Sequence, residues 1–128
     1  MNKQLTRIAR IVFAVPFLVF GVNHFLKADM MAGAVPSYLP GGIFLVYLTG
    51  LAMIAAAISF ITGKYLRYSG YGLAALMIVY ILMVHIPNLS NPQMQVIAFM
   101  SILKDIGLAG GALLLASDLP SQTSNQLV

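Results

Sequence analysis

Four apolar runs separated by short polar breaks take up most of this chain. Ile8 to Leu26, Ile43 to Ile61, Gly70 to Ile86 and Val96 to Ala116 each approach the roughly 20 apolar residues that a bilayer-spanning helix needs. The pattern predicts helices over about 8–26, 43–61, 70–86 and 94–116. Pro36, Pro40 and Gly41-Gly42 punctuate the first break, Gly63 to Ser69 forms the second, and Pro87-Asn88 through Asn91-Pro92 forms the third. Breaks this short predict antiparallel neighbours, and Asn91 before Pro92 reads as the N-cap and first-turn proline of the last helix. Pro16, inside the first run, should bend its helix. Segments of about 10 residues alternating apolar and polar, the mark of a spanning barrel, do not occur.

Composition settles the solvent. Of 128 residues 60% are hydrophobic and 8% charged, against roughly 25% charged in an ordinary soluble domain. A water-soluble bundle would lack polar faces. The expectation is therefore an all-α, antiparallel, integral membrane four-helix bundle over residues 1–117, followed by a mobile polar tail at 118–128. The basic residues Lys3, Arg7, Arg10, Lys64 and Arg67 fall on one side of such a bundle and Lys27 alone on the other, which places both termini in the cytoplasm. The first run resembles a signal peptide, with Ala32-Gly33-Ala34 as its cleavage site. Asn23, His24, Lys27 and Asp29 make the intervening stretch too long and polar, so the helix is expected to be retained. Tyr38, Tyr65, Tyr68 and Tyr71 suit interfacial belts. The net charge of +4 is scattered singly, which argues against a nucleic-acid partner. Cysteine is absent, which removes thiol exchange, iron–sulfur ligation and thiolate metal sites. The scattered aspartates make no divalent-cation cage, so no metal is expected.

Candidate chemistry lies in the groups that do not belong in lipid. An ionisable side chain at the bilayer centre costs about 2.5–3.5 kcal/mol on insertion scales and normally turns inward. Lys104 and Asp105 fall deep in the last run. Sequence neighbours diverge by about 100° on a helix, so at least one of the two should contact another helix. His24 and His85 end the first and third runs, and helical side chains lean toward their own N-terminus. In an antiparallel bundle that lean brings His24, His85, Lys104 and Asp105 together in the outer half, in a polar pocket opening outward. A structural ion pair, histidines satisfied by loop carbonyls, and bis-imidazole haem ligation are the alternatives. Gly107 and Gly111, four apart, predict a close helix contact, with Ala52, Ala56 and Ser59 as the matching face or a second copy in a homodimer.

Five motifs, in this order, resemble the DoxX family of small four-helix membrane proteins. They are Gly21-Val22-Asn23-His24-Phe25, Met31-Ala32-Gly33-Ala34-Val35-Pro36, Tyr47-Leu48-Thr49-Gly50, His85-Ile86-Pro87, and Lys104-Asp105 with Gly110-Gly111-Ala112-Leu113. The resemblance adds Asn23 to the candidate ligand or proton-relay residues and Gly50 to the packing residues. It implies a redox-linked subunit of the cell (inner) membrane, binding a quinone beside another membrane redox subunit. Many members carry a glutamate in helix two, where this chain has Ala52 and Met53 and no Glu anywhere. The competing expectations are a non-catalytic scaffold or assembly factor, and an oligomeric conduit for protons or a small solute.

Overall fold

The computed structural model describes residues 2–126, with side chains described over 2–117. Helix α1 spans Lys3–Leu26, a short α2 Ala28–Ala32, and α3 Ile43–Thr62; α4, Leu66–Tyr80, runs through a π turn at Ile81–His85 into α5, Ile86–Asn88, and α6 spans Gln95–Gln126. Four of the resulting stretches, Lys3–Leu26, Ile43–Thr62, Leu66–Asn88 and Gln95–Ser117, are long and apolar enough to cross a membrane. The described residues contain no strand. The stretch read as a polar tail continues in helical backbone as far as Gln126, and its side chains lie outside the described residues.

Local chemistry explains the helix ends. The Asn2 side chain accepts from the Gln4 backbone N–H at 2.8 Å, so α1 starts ahead of its apolar run. The proline at 16 is accommodated within that continuous helix. Asn91 does not cap α6: its Oδ1 accepts from the Gln93 N–H at 3.1 Å and its carbonyl from Met94 N at 3.0 Å. Asn91 thus builds a turn of its own, and α6 begins one turn later. Gly63 closes α3 at φ +78, donating to the Ser59 carbonyl at 2.8 Å. The Arg10 guanidinium occupies the space a Cβ would need at Gly63 while donating to the Phe60 carbonyl at 3.3 Å. Both conformation and crowding therefore demand glycine there.

The bundle is two close-packed hairpins, α1 on α3 and α4 on α6, joined through α3 and α4. Glycines set the approach within each. A Cβ at Gly50 would lie 2.5 Å from His24 Cβ, and one at Gly21 would lie 2.8 Å from the Gly50 carbonyl oxygen. A Cβ at Gly70 would lie 2.5 Å from the Ala112 carbonyl oxygen. Backbones this near are the small-residue packing that works where lipid is as apolar as the side chains. Phe17, Phe60 and Met77 are fully buried between the hairpins, and Phe13 bridges to Phe17 and Phe60 at ring separations of 5.2 and 5.5 Å.

The expected Gly107–Gly111 face is corrected here. Gly107 is exposed, with nothing within 4 Å of where its Cβ would be, whereas a Cβ at Gly111 would lie 2.8 Å from the Phe13 ring. The inward face of α6 is Asp105, Ala109, Ala112 and Ala116, all buried. Gly107 follows Asp105 by two positions, about 200° around the helix, and so points away. On α3, Ala56 and Ser59 are buried but Ala52 is exposed, and that helix packs on α1 and α4. Tyr38, Tyr65, Tyr68 and Tyr71 are all exposed.

Candidate functional site

A cavity of about 470 Å3 lies at the end of the bundle that carries the connection between α1 and α3. Phe17 and Phe20 of α1, Met53 of α3 and Met77 of α4 make apolar walls, while Val35, Pro36 and Leu39 of the connection form a roof. The Tyr38 hydroxyl ties that roof to Met83 Sδ at 3.2 Å. His24, Tyr80, His85, Lys104 and Asp105 all line the same space.

His24 has a defined tautomer. Its Nδ1 lies 2.6 Å from the Phe20 carbonyl oxygen, which can only accept, so Nδ1 carries a hydrogen. In the neutral ring Nε2 is then an acceptor, and it takes the Tyr80 hydroxyl proton at 3.1 Å. Gly50 makes this arrangement possible, because the absence of its Cβ lets His24 press against α3. The Thr49 hydroxyl, also in the wall, donates back to the Leu45 and Val46 carbonyls at 2.9 and 3.1 Å.

The second polar group is built across α4 and α6. His85 Nε2 donates to Asp105 Oδ2 at 3.0 Å, and the Asp105 side chain is only 5% exposed. Lys104 Nζ stands 3.8 Å from Asp105 Oδ1, beyond hydrogen-bond range, and 5.2 Å over the Phe20 ring. Its side chain is half exposed. The pairing follows the reasoning from adjacent positions: Asp105 finds its short partner on a facing helix, and Lys104 approaches from the side.

The π turn is what makes the two groups neighbours. Five residues apart on an α-helix, Tyr80 and His85 would diverge by about 140°. Bonding from i to i+5, as in the Ile86 N–H to the Ile81 carbonyl, stacks them on one face. Both then reach the cavity. Sequence reasoning missed Tyr80 and this turn; the available signal was a phenol deep in an apolar run, which needs a hydrogen-bond partner. Asn23, one position before His24, is half-buried and does not line the cavity; its carbonyl accepts from Lys27 N at 2.8 Å. Among the described residues no three His, Cys, Asp or Glu side chains converge as a metal site.

No curated protein and no solved structure matches this chain. A family model described as a domain of unknown function, DUF8561, matches residues 13–103. This overturns the resemblance to DoxX proteins read from short motifs. Those motifs are small residues at helix crossings and a histidine–proline pair at a helix end, which close-packed apolar bundles use for packing and termination whatever their ancestry. The match covers every polar residue of the cavity except Lys104 and Asp105, and the chain belongs to the DUF8561 family.

Proposed function

We propose that this chain is a multi-pass membrane protein that binds a lipophilic small molecule with a quinone-like polar head in the cavity between its hairpins. In this reading both termini face the cytoplasm, as the Lys and Arg distribution argues, and the cavity lies in the outer half of the cell membrane. The observation that carries the reading is one cavity with largely apolar walls into which His24, Tyr80, His85, Lys104 and Asp105 converge. Its volume falls in the range of roughly 300–1,000 Å3 typical of small-molecule sites, which combine apolar linings with a few placed polar groups.

The residues divide the work. The aromatic and methionine walls accept a ring or prenyl-like chain, and the roof over 35–39 excludes water from the polar end. His24 and Tyr80 form a hydrogen-bonded pair that can take or release a proton at the Tyr80 oxygen. His85 and Asp105 form a second such pair, with Lys104 as the adjacent cation. A quinone supplies reducible carbonyls when bound, and a partner subunit or bound cofactor would exchange electrons with it. The test is purification in a mild detergent, organic extraction and mass spectrometry of the co-purified small molecules. A specific lipophilic compound at near-stoichiometric level, lost when Thr49→Phe fills the cavity, is the expected result. Stable protein that carries no such compound and binds no added quinone or hydroquinone sinks the reading.

A further inference from the structure

The Lys104–Asp105 pair is incompletely joined, and the gap has a definite chemistry. Asp105 Oδ2 is occupied by His85 at 3.0 Å, but Oδ1 has only Lys104 Nζ at 3.8 Å, too far for a hydrogen bond. No buried side-chain oxygen or nitrogen among the described residues is left without a partner, so Oδ1 is an atom that stays accessible. Asp105 is 3% exposed overall and lines the cavity, which is the space the inference gives to this oxygen. The other hydrogens nearby are committed: His85 donates to Oδ2, and Tyr80 donates to His24.

An oxygen placed about 2.7–2.9 Å from both atoms would bridge a 3.8 Å gap with two charge-assisted hydrogen bonds. Beside an ionised Asp105 a carbonyl oxygen cannot do this, because it would meet the carboxylate lone pair to lone pair. A hydroxyl can, donating its proton to Oδ1 and accepting one from Nζ. Resting on the binding function proposed above, we infer that the cavity selects a lipophilic phenol or alcohol, the reduced hydroquinone rather than the quinone, whose hydroxyl bridges Asp105 Oδ1 and Lys104 Nζ. The His24–Tyr80 pair serves the rest of the ring or a second oxygen.

The experiment titrates purified protein in detergent, anaerobically and by calorimetry, with a short-tailed para-hydroquinone, its dimethyl ether and the matching quinone. A hydrogen bond to a charged group predicts that the hydroquinone binds roughly 10- to 100-fold more tightly than the quinone, which has nearly the same volume but no hydroxyl proton, and than the somewhat larger ether, which cannot donate either. Asp105→Asn should bring that ratio to within a few-fold. Should that variant fail to fold, Lys104→Met, at a half-exposed side chain, must lower the ratio several-fold. Equal binding of all three probes overturns the hydroxyl bridge and leaves the binding function standing. Undiminished selectivity in both variants overturns it too, by placing the hydroxyl elsewhere. Binding of none of the three overturns both.

Discussion

Replacing Gly50 by alanine tests whether the α1–α3 crossing positions the cavity. The added methyl would sit 2.5 Å from His24 Cβ and 3.1 Å from the Gly21 carbonyl oxygen. Carbon–carbon contacts are comfortable at about 3.5–4.0 Å, so the helices must open by about 1 Å. The obstructing atoms are a Cβ and a backbone oxygen, not the end of a flexible side chain, so the cost belongs at the upper end of the roughly 1–3 kcal/mol typical of overpacking. Alanine recovers about 0.8–1 kcal/mol over glycine in a helix interior. The net loss is about 1–2 kcal/mol, or roughly 3–10 °C in Tm for a chain of this size. A 1 Å displacement also takes His24 Nε2, now 3.1 Å from the Tyr80 oxygen, out of hydrogen-bond range, so ligand affinity should fall with stability. Thermal unfolding in detergent beside Gly107→Ala provides the comparison, because nothing lies within 4 Å of a Cβ at Gly107 and that variant should melt at or above the parent. If Gly50→Ala and Gly107→Ala shift Tm equally, the close crossing is not what holds this end together.

Removing His85 should matter more than removing Lys104. His85→Leu strips the 3.0 Å partner from a carboxylate that is 5% exposed and should cost about 3–5 kcal/mol, largely recovered in the double variant with Asp105→Asn; Lys104→Met, at 3.8 Å and half exposed, should cost under about 1 kcal/mol. Equal losses in denaturation titrations would reverse this ranking. Deleting Val84 removes the residue that the π turn adds, so Tyr80 and His85 should stand four apart on a regular α-helix, about 40° from one another, with His85 still on the Asp105 face and hydroquinone selectivity retained in a protein that stays helical by circular dichroism; lost selectivity would show that the widened turn itself positions His85. For topology, cysteines introduced singly at Ser37 and Tyr68 in intact cells should react with an impermeant reagent only at 37, and labelling only at 68 would invert the orientation.

What could be read in advance was whatever depends on the amount of apolar surface along the chain. Runs of some 20 apolar residues favour long helices, which satisfy every backbone polar group internally, so four helices long and apolar enough to span were legible, although α1 starts five residues and α4 four residues ahead of the apolar runs. The outlying polar groups were legible for a related reason: a charge or imidazole in such a run tends to turn inward, and His24, His85 and Asp105 line one cavity, with Lys104 at it but half exposed. Helix rotation was not legible. These helices are apolar nearly all round, so no stripe marks the inner face, and the choice between Gly107 and Gly111, or the roles of Gly21 and Gly70, follows only from which backbones meet. The π turn was hidden too, since one extra residue in a helical turn leaves no mark on hydrophobic spacing. Only the packed bundle shows that this turn brings Tyr80 and His85 to one face, and that Asp105 pairs with His85 at 3.0 Å while Lys104 stays 3.8 Å away. Composition dictates solvent and span because burial is summed over many residues, whereas a site depends on a few ångströms and degrees, which only the meeting of helices decides.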